Sequence, residues 1–156
     1  MDNYVYDYMA KTIEIASSNP IAPYGAIIVY DNQEILLQSV NSAHHHPLMH
    51  GELAVIHALF NNGFDGDCSK LSLYTTAEPC PMCSSAIYWA MIPQIIYGTS
   101  IPFLHDLFGR QIQIRASEIF SKTPGFYNCN LIGGIMENEC NQLFIEAKKL
   151  RDSQHG

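Results

Sequence analysis

Two short segments thirty residues apart, His50-Gly51-Glu52 and Pro79-Cys80-Pro81-Met82-Cys83, constrain this chain more than anything else in it. One imidazole and two thiolates fill three corners of a tetrahedral zinc site and leave the fourth for water, the pattern of a catalytic rather than a structural metal. A fold that uses them must bring two distant stretches of chain to one point. Water bound in such a site loses a proton near neutral pH. Glu52 is the carboxylate placed to carry that proton onward. Cys80-Pro81-Met82-Cys83 alone would equally suit a redox pair or half of a structural zinc site. The structural reading needs a second close pair of thiols, and Cys129 and Cys140 are too widely spaced to provide one.

The surrounding pattern places both segments at helix starts. Asp2 to Ser17 carries apolar residues at near-helical spacing and is stopped by Asn19-Pro20. Gly25–Tyr30 and Glu34–Val40 are apolar runs joined by Asp31-Asn32, which predicts a hairpin. A helix is expected from about Met49 to Asn61, with Leu53, Val55, Ile56, Leu59 and Phe60 inward and Asn62-Gly63 as its stop. Leu71–Thr76 reads as a strand that ends where the cysteine motif begins. Pro81–Ala90 reads as a helix, with Pro81 suited to a first helical position, and Ile95–Gly98 as a fourth strand. At a helix start, backbone N–H groups favour the thiolate form of both cysteines. Further on, Ile101–Gln113 is expected to be loop and short helix, Leu131–Ile135 a fifth strand or turn, and Glu137–Arg151 a last amphipathic helix. Strands alternating with helices predict a sheet sandwiched between helices, with both metal helices starting at one edge, where ligands sit in open α/β folds.

At 156 residues and 47% hydrophobic, with no repeat or linker, the chain is expected to form one domain over residues 1–156. A net charge of −7 argues against a broad surface for polyanions and toward a small substrate. Lys148, Lys149 and Arg151 read as a solvated helix end. Five cysteines, the lack of a leader pattern and the lack of a long apolar run predict a reducing, cytoplasmic setting without membrane insertion. Cys68, Cys129 and Cys140 read as buried small hydrophobes. His44, His45 and His46 read as a solvated loop, one of them able to line the pocket mouth, while His57, His105 and His155 carry no motif.

Pro23-Tyr24-Gly25-Ala26, Asn41, His50-Gly51-Glu52-Leu53-Ala54, Glu78-Pro79-Cys80-Pro81-Met82-Cys83 and Ala86-Ile87-Tyr88-Trp89-Ala90 together resemble the cytidine deaminase-like superfamily. Within it they resemble the guanine deaminase and tRNA-adenosine deaminase branch. The last stretch is most similar to bacterial guanine deaminases, and the Gly between His and Glu also resembles fungal cytosine deaminases. This resemblance implies a three-layer αβα sandwich around a mixed sheet of about five strands, one zinc held by His50, Cys80 and Cys83, and Glu52 as proton carrier.

The same resemblance implies hydrolytic deamination that releases ammonia. The order of preference is a purine base or nucleoside with guanine first, then adenosine in tRNA, then cytosine or cytidine. Asn41, whose amide offers donor and acceptor, Tyr24, which stands at the family's Phe position, and the backbone near Gly51 are the expected substrate contacts, with turn chemistry as the alternative for Asn41 and core packing for Tyr24. Asp106 is a further candidate for the purine edge, with a surface acid or helix cap as its alternative. Trp89 is a candidate at the substrate or, as the family's helix packing implies, at the contact of a homodimer, with core packing as its alternative.

Overall fold

A computed structural model describes residues 1–155. In chain order the elements are α1 (Asn3–Ala16), β1 (Gly25–Tyr30), β2 (Glu34–Val40), α2 (Gly51–Asn61), β3 (Leu71–Ala77), α3 (Pro81–Trp89), β4 (Gln94–Thr99), α4 (Ile101–Phe108), α5 (Ala116–Phe120), β5 (Asn130–Ile132) and α6 (Glu137–His155). The five strands form one mixed sheet in the order β2-β1-β3-β4-β5. β1 runs antiparallel to β2 and β3, whereas β3, β4 and β5 are parallel.

The two-residue period of the strands divides the core between two sheet faces. Ala26 and Ile28 of β1, Leu71 and Leu73 of β3 and Ile95 of β4 meet Val55, Ile56 and Leu59 of α2 and Ile87 of α3. Their neighbours Ile27, Val29, Tyr74 and Ile96 point the other way, onto Val5 and Met9 of α1 and Cys140 of α6. Helices therefore cover both faces, as the αβα expectation requires. Every residue of β3 is buried, as a central strand sandwiched on both sides demands. The β1–β2 connection is a tight turn with Asp31 at φ 54° and Asn32 at φ 57°, a conformation these two residue types tolerate better than most.

Several boundaries differ from the sequence pattern for local reasons. α2 begins at Gly51, because His50 itself is extended at φ −63° and ψ 159° and serves as the N-cap. Phe60, expected to point inward, is 43% exposed and leans edge-on against Phe64. The stretch after β4 opens directly into α4, with the Ser100 hydroxyl accepting from the Phe103 N–H and Gly109 closing the helix in the left-handed conformation at φ 69°. α5 carries too few residues for a periodic signal. Trp89 does not enter the core: it is 78% exposed.

Candidate active site

β2 leads through residues 41–50 to the start of α2, and β3 leads to the start of α3, so His50 and Cys80 are the N-caps of two helices. Gly51 lies so close to the Tyr24 carbonyl that a Cβ there would overlap the oxygen, which lets α2 begin hard against the entry to β1. His50 Nδ1 is 3.6 Å from Cys80 Sγ and 3.8 Å from Cys83 Sγ. Zinc–sulfur bonds of about 2.3 Å and zinc–nitrogen bonds of about 2.0 Å at tetrahedral angles place N and S about 3.5 Å apart. His50, Cys80 and Cys83 therefore fit one zinc ion, and all three ligand atoms lie within 4.8 Å of one another.

The protons of this cluster respond to one another. The Cys80 thiol is drawn down to about 4, first by a hydrogen bond with Cys83 and then by His50. Cys83 is pushed up in turn, first by that same bond with Cys80 and then by burial. His50 is raised, chiefly by its bond with Cys80.

Glu52, on the first turn of α2, is buried against β3. The Thr75 hydroxyl lies 2.7 Å from Glu52 Oε1 and 3.0 Å from the Ala77 carbonyl, fixing the orientation of the carboxylate. Burial raises the pKa of Glu52, opposed by the bond from Thr75. Thr75 carried no role in the sequence reading. Its one signal is a hydroxyl in a run of residues all buried, where a polar atom needs a partner.

Asn41 is buried at the end of β2. Its N–H donates to the Tyr24 carbonyl at 2.9 Å, its carbonyl accepts from Asn19 Nδ2 at 2.9 Å, and its Oδ1 accepts from the Ala43 N–H at 3.0 Å. Among the described residues Asn41 Nδ2 has no partner, which leaves a donor free. The Tyr24 ring packs on Phe144 of α6 with centroids 4.9 Å apart, and burial pushes its hydroxyl up to about 12. Arg151, Arg110 and Glu52 act on that hydroxyl by charge. The structure thus gathers His50, Glu52, Cys80 and Cys83, and brings Tyr24 and Gly51 together.

Asp106 and Trp89 are placed differently. Leu104, Leu107 and Phe108 of α4 face Tyr24 and Phe144, whereas Asp106 lies two residues beyond Leu104, about 200° around the helix, and is exposed. Trp89 ends α3 at the opposite terminus from Cys80 and stacks edge-on against Tyr88, with centroids 5.1 Å apart. His44, His45 and His46 are exposed. Glu78, two residues before Cys80, is buried and ion-paired with Arg115, a pairing absent from the sequence pattern.

Residues 2–99 match the family model of the cytidine and deoxycytidylate deaminase zinc-binding region. That is more than half of the chain, and the protein belongs to this family of zinc-dependent deaminases. It is 34% identical over 93 residues to a tRNA-specific adenosine deaminase of Rickettsia bellii, covering 58% of this chain and 64% of that protein. The match thus spans under two thirds of that relative's length. A solved structure from work on tRNA:A34 deaminases that edit A to I at the wobble position superposes with a TM-score of 0.72 at 26% identity, covering 88% of this chain and 98% of the other. A guanine deaminase from Nitrosomonas europaea superposes with a TM-score of 0.75 at 14% identity, over 92% and 84% of the two chains, a likeness of fold alone.

Proposed function

We propose that the protein hydrolyses the exocyclic amine of a purine taken up as a free base or nucleoside, with guanine the first substrate to try. Zinc, when bound by His50, Cys80 and Cys83, supplies a water that ionises near neutral pH. Glu52 carries one proton of that water to the ring nitrogen and then the second to the departing amine, which leaves as ammonia; Thr75 holds the carboxylate on course. Asn41 Nδ2 donates to the base edge. Tyr24, wedged against Phe144, walls the ring. Asp106 faces outward on α4 and takes no part in this reading.

The observation that carries the small-substrate reading is the distribution of positive charge. Of eight lysines and arginines in a chain of net charge −7, Lys11, Arg115, Lys148 and Lys149 are already paired with acidic side chains. Little uncommitted charge remains to neutralise a run of phosphates.

One observation favours adenosine within tRNA instead. Arg110 and Arg151, the two arginines outside the Glu78 pair, both act on Tyr24, and the 34%-identical relative is a tRNA-specific adenosine deaminase. Ammonia release from guanine, guanosine, adenosine, cytosine, cytidine and an anticodon stem-loop over a salt series separates the readings. Turnover of a free purine that varies little with salt supports the first. Turnover of the stem-loop alone, falling steeply as salt rises, supports the second, because each neutralised phosphate releases counterions.

A homodimer with Trp89 at the contact is part of the same proposal. Trp89 is 78% exposed and Phe126 70%, large apolar surfaces of the kind that interfaces cover. We also place the activity in the cytoplasm; among the described residues no helix is long and apolar enough to cross a membrane.

A further inference from the structure

Glu78 is a buried carboxylate one strand-end away from the chemistry, and every donor around it is accounted for. Its Oε1 accepts from the Ile101 N–H at 2.9 Å and its Oε2 from the Ala116 N–H at 2.8 Å. Arg115 Nε reaches both oxygens, at 2.9 and 3.0 Å. Arg115 also reaches the Tyr97 hydroxyl at 3.4 Å through Nη2. On the backbone, the Glu78 N–H donates to the Thr99 carbonyl at 2.7 Å. Ile101 and Ala116 are the first residues of α4 and α5, so a single anion closes the ends of the segment 101–116. Between those ends, Leu104, Leu107 and Phe108 pack with Tyr24 and Phe144, and Gln111 lies beside the Tyr24 hydroxyl.

We propose that Glu78 and Arg115 form a positioning pair that clamps the 101–116 segment, the wall behind Tyr24, to the loop carrying Cys80. Neither residue touches substrate. The pair sets the wall in register with the metal ligands, because Glu78 precedes Cys80 by two residues of a chain that bends into α3. A carboxylate with only one of its three donors missing stays buried and costly, so the clamp is either whole or strained. This rests on the deamination reading for the meaning of the wall, while the clamp itself has readouts that need no substrate.

The test uses the zinc-loaded protein with Arg115→Ala, Arg115→Lys and Glu78→Gln. Hydrogen exchange is read over residues 109–114 and over β3, the ligand-field spectrum is read after cobalt replaces zinc, and kcat and KM are read separately. Arg115→Ala is expected to speed exchange over 109–114 on the order of tenfold with β3 unchanged. It should raise KM about tenfold while kcat stays within about threefold, since the wall and not the proton carrier is displaced. Its cobalt spectrum should match the unaltered protein, and Arg115→Lys should recover part of the KM. Glu78→Gln is expected to perturb the cobalt spectrum as well, because the Cys80 loop loses its anchor. Should that variant fail to fold, Arg115→Ala still decides the matter. Unchanged exchange over 109–114 with unchanged KM, or a lowered melting temperature as the sole effect, would overturn the pair. If exchange loosens as expected but no free purine is turned over by any form, the substrate reading fails and the clamp stands.

Discussion

The metal end and the stretch from residue 101 to 132 are held in place by opposite means. At the metal end each ligand is fixed by its own neighbourhood: His50 and Cys80 cap the helices they begin, and Cys83 sits one turn into α3. The later stretch is fixed from afar. Glu78 binds the first residues of α4 and α5, the Tyr127 hydroxyl donates to the Ile92 carbonyl, and Asn130 bonds the Pro93 carbonyl before the three residues of β5 join the sheet. The zinc ligands therefore sit at two helix starts that β2, β1 and β3 bring side by side, whereas the pocket wall depends in addition on contacts made by the segment beyond β4. Substitutions at the first should change metal content and turnover, and substitutions at the second should change affinity and local stability.

The largest effect is expected from the metal end. Removing zinc with a chelator, or replacing Cys83 by Ser, should abolish ammonia release and lower the melting temperature, because the metal ties two helix starts together. Elemental analysis and thermal melts check this. A variant that keeps both zinc and activity would break the contrast at its stronger side.

Next in size is the packing behind the wall. Phe144 is fully buried and carries the Tyr24 ring, so Phe144→Ala should cost about 3–5 kcal/mol by denaturant unfolding and raise KM in the fraction that folds. A change in kcat alone would place Phe144 with the chemistry and erase the division.

A smaller effect is expected at Thr75. Thr75→Val keeps the shape of the buried strand and removes the hydroxyl that steadies Glu52, which should lower kcat about tenfold with zinc content unchanged. If KM rises instead, Thr75 acts on the substrate and not through Glu52.

The smallest catalytic effect is expected at Trp89, at the far end of α3 from Cys80. Trp89→Ala should leave zinc content unaltered and shift sedimentation from dimer toward monomer at micromolar concentration. An unaltered protein that sediments as a monomer would remove the interface from the proposal.

The same division governs how much could be read in advance. His50, Glu52, Cys80 and Cys83 were legible because metal chemistry demands those side chains at helix starts, and the strands before them show apolar runs ending where the motifs begin. Four strands and the helices flanking them follow from the same periodicity, while residues 131–135 read as strand or turn and the mixed sheet of about five strands rests on the family resemblance. Thr75 and Glu78 were not legible as functional residues, because what makes them so is a partner far along the chain: Glu52 in one case, Arg115 and two helix N-termini in the other. α5 was invisible for the reason that makes it weak, five residues with a single fully buried side chain. Trp89 could be read as core, substrate contact or interface, and its exposure removes only the first of these. Asp106 shares a helix with residues that face the site, and only the turn of that helix decides which way it points.

Glu52→Gln bears most directly on the central claim that this site joins a metal position to a buried proton carrier. The substitution keeps size and leaves the metal ligands alone but removes proton transfer, a contribution worth about 10²–10⁴-fold. Ammonia release is measured on zinc-replete protein across the substrate panel, with zinc content and melting temperature taken on the same samples. The account predicts a loss of kcat of at least about a hundredfold with zinc and fold retained. Near-normal turnover in a folded, zinc-loaded Glu52→Gln protein would contradict it.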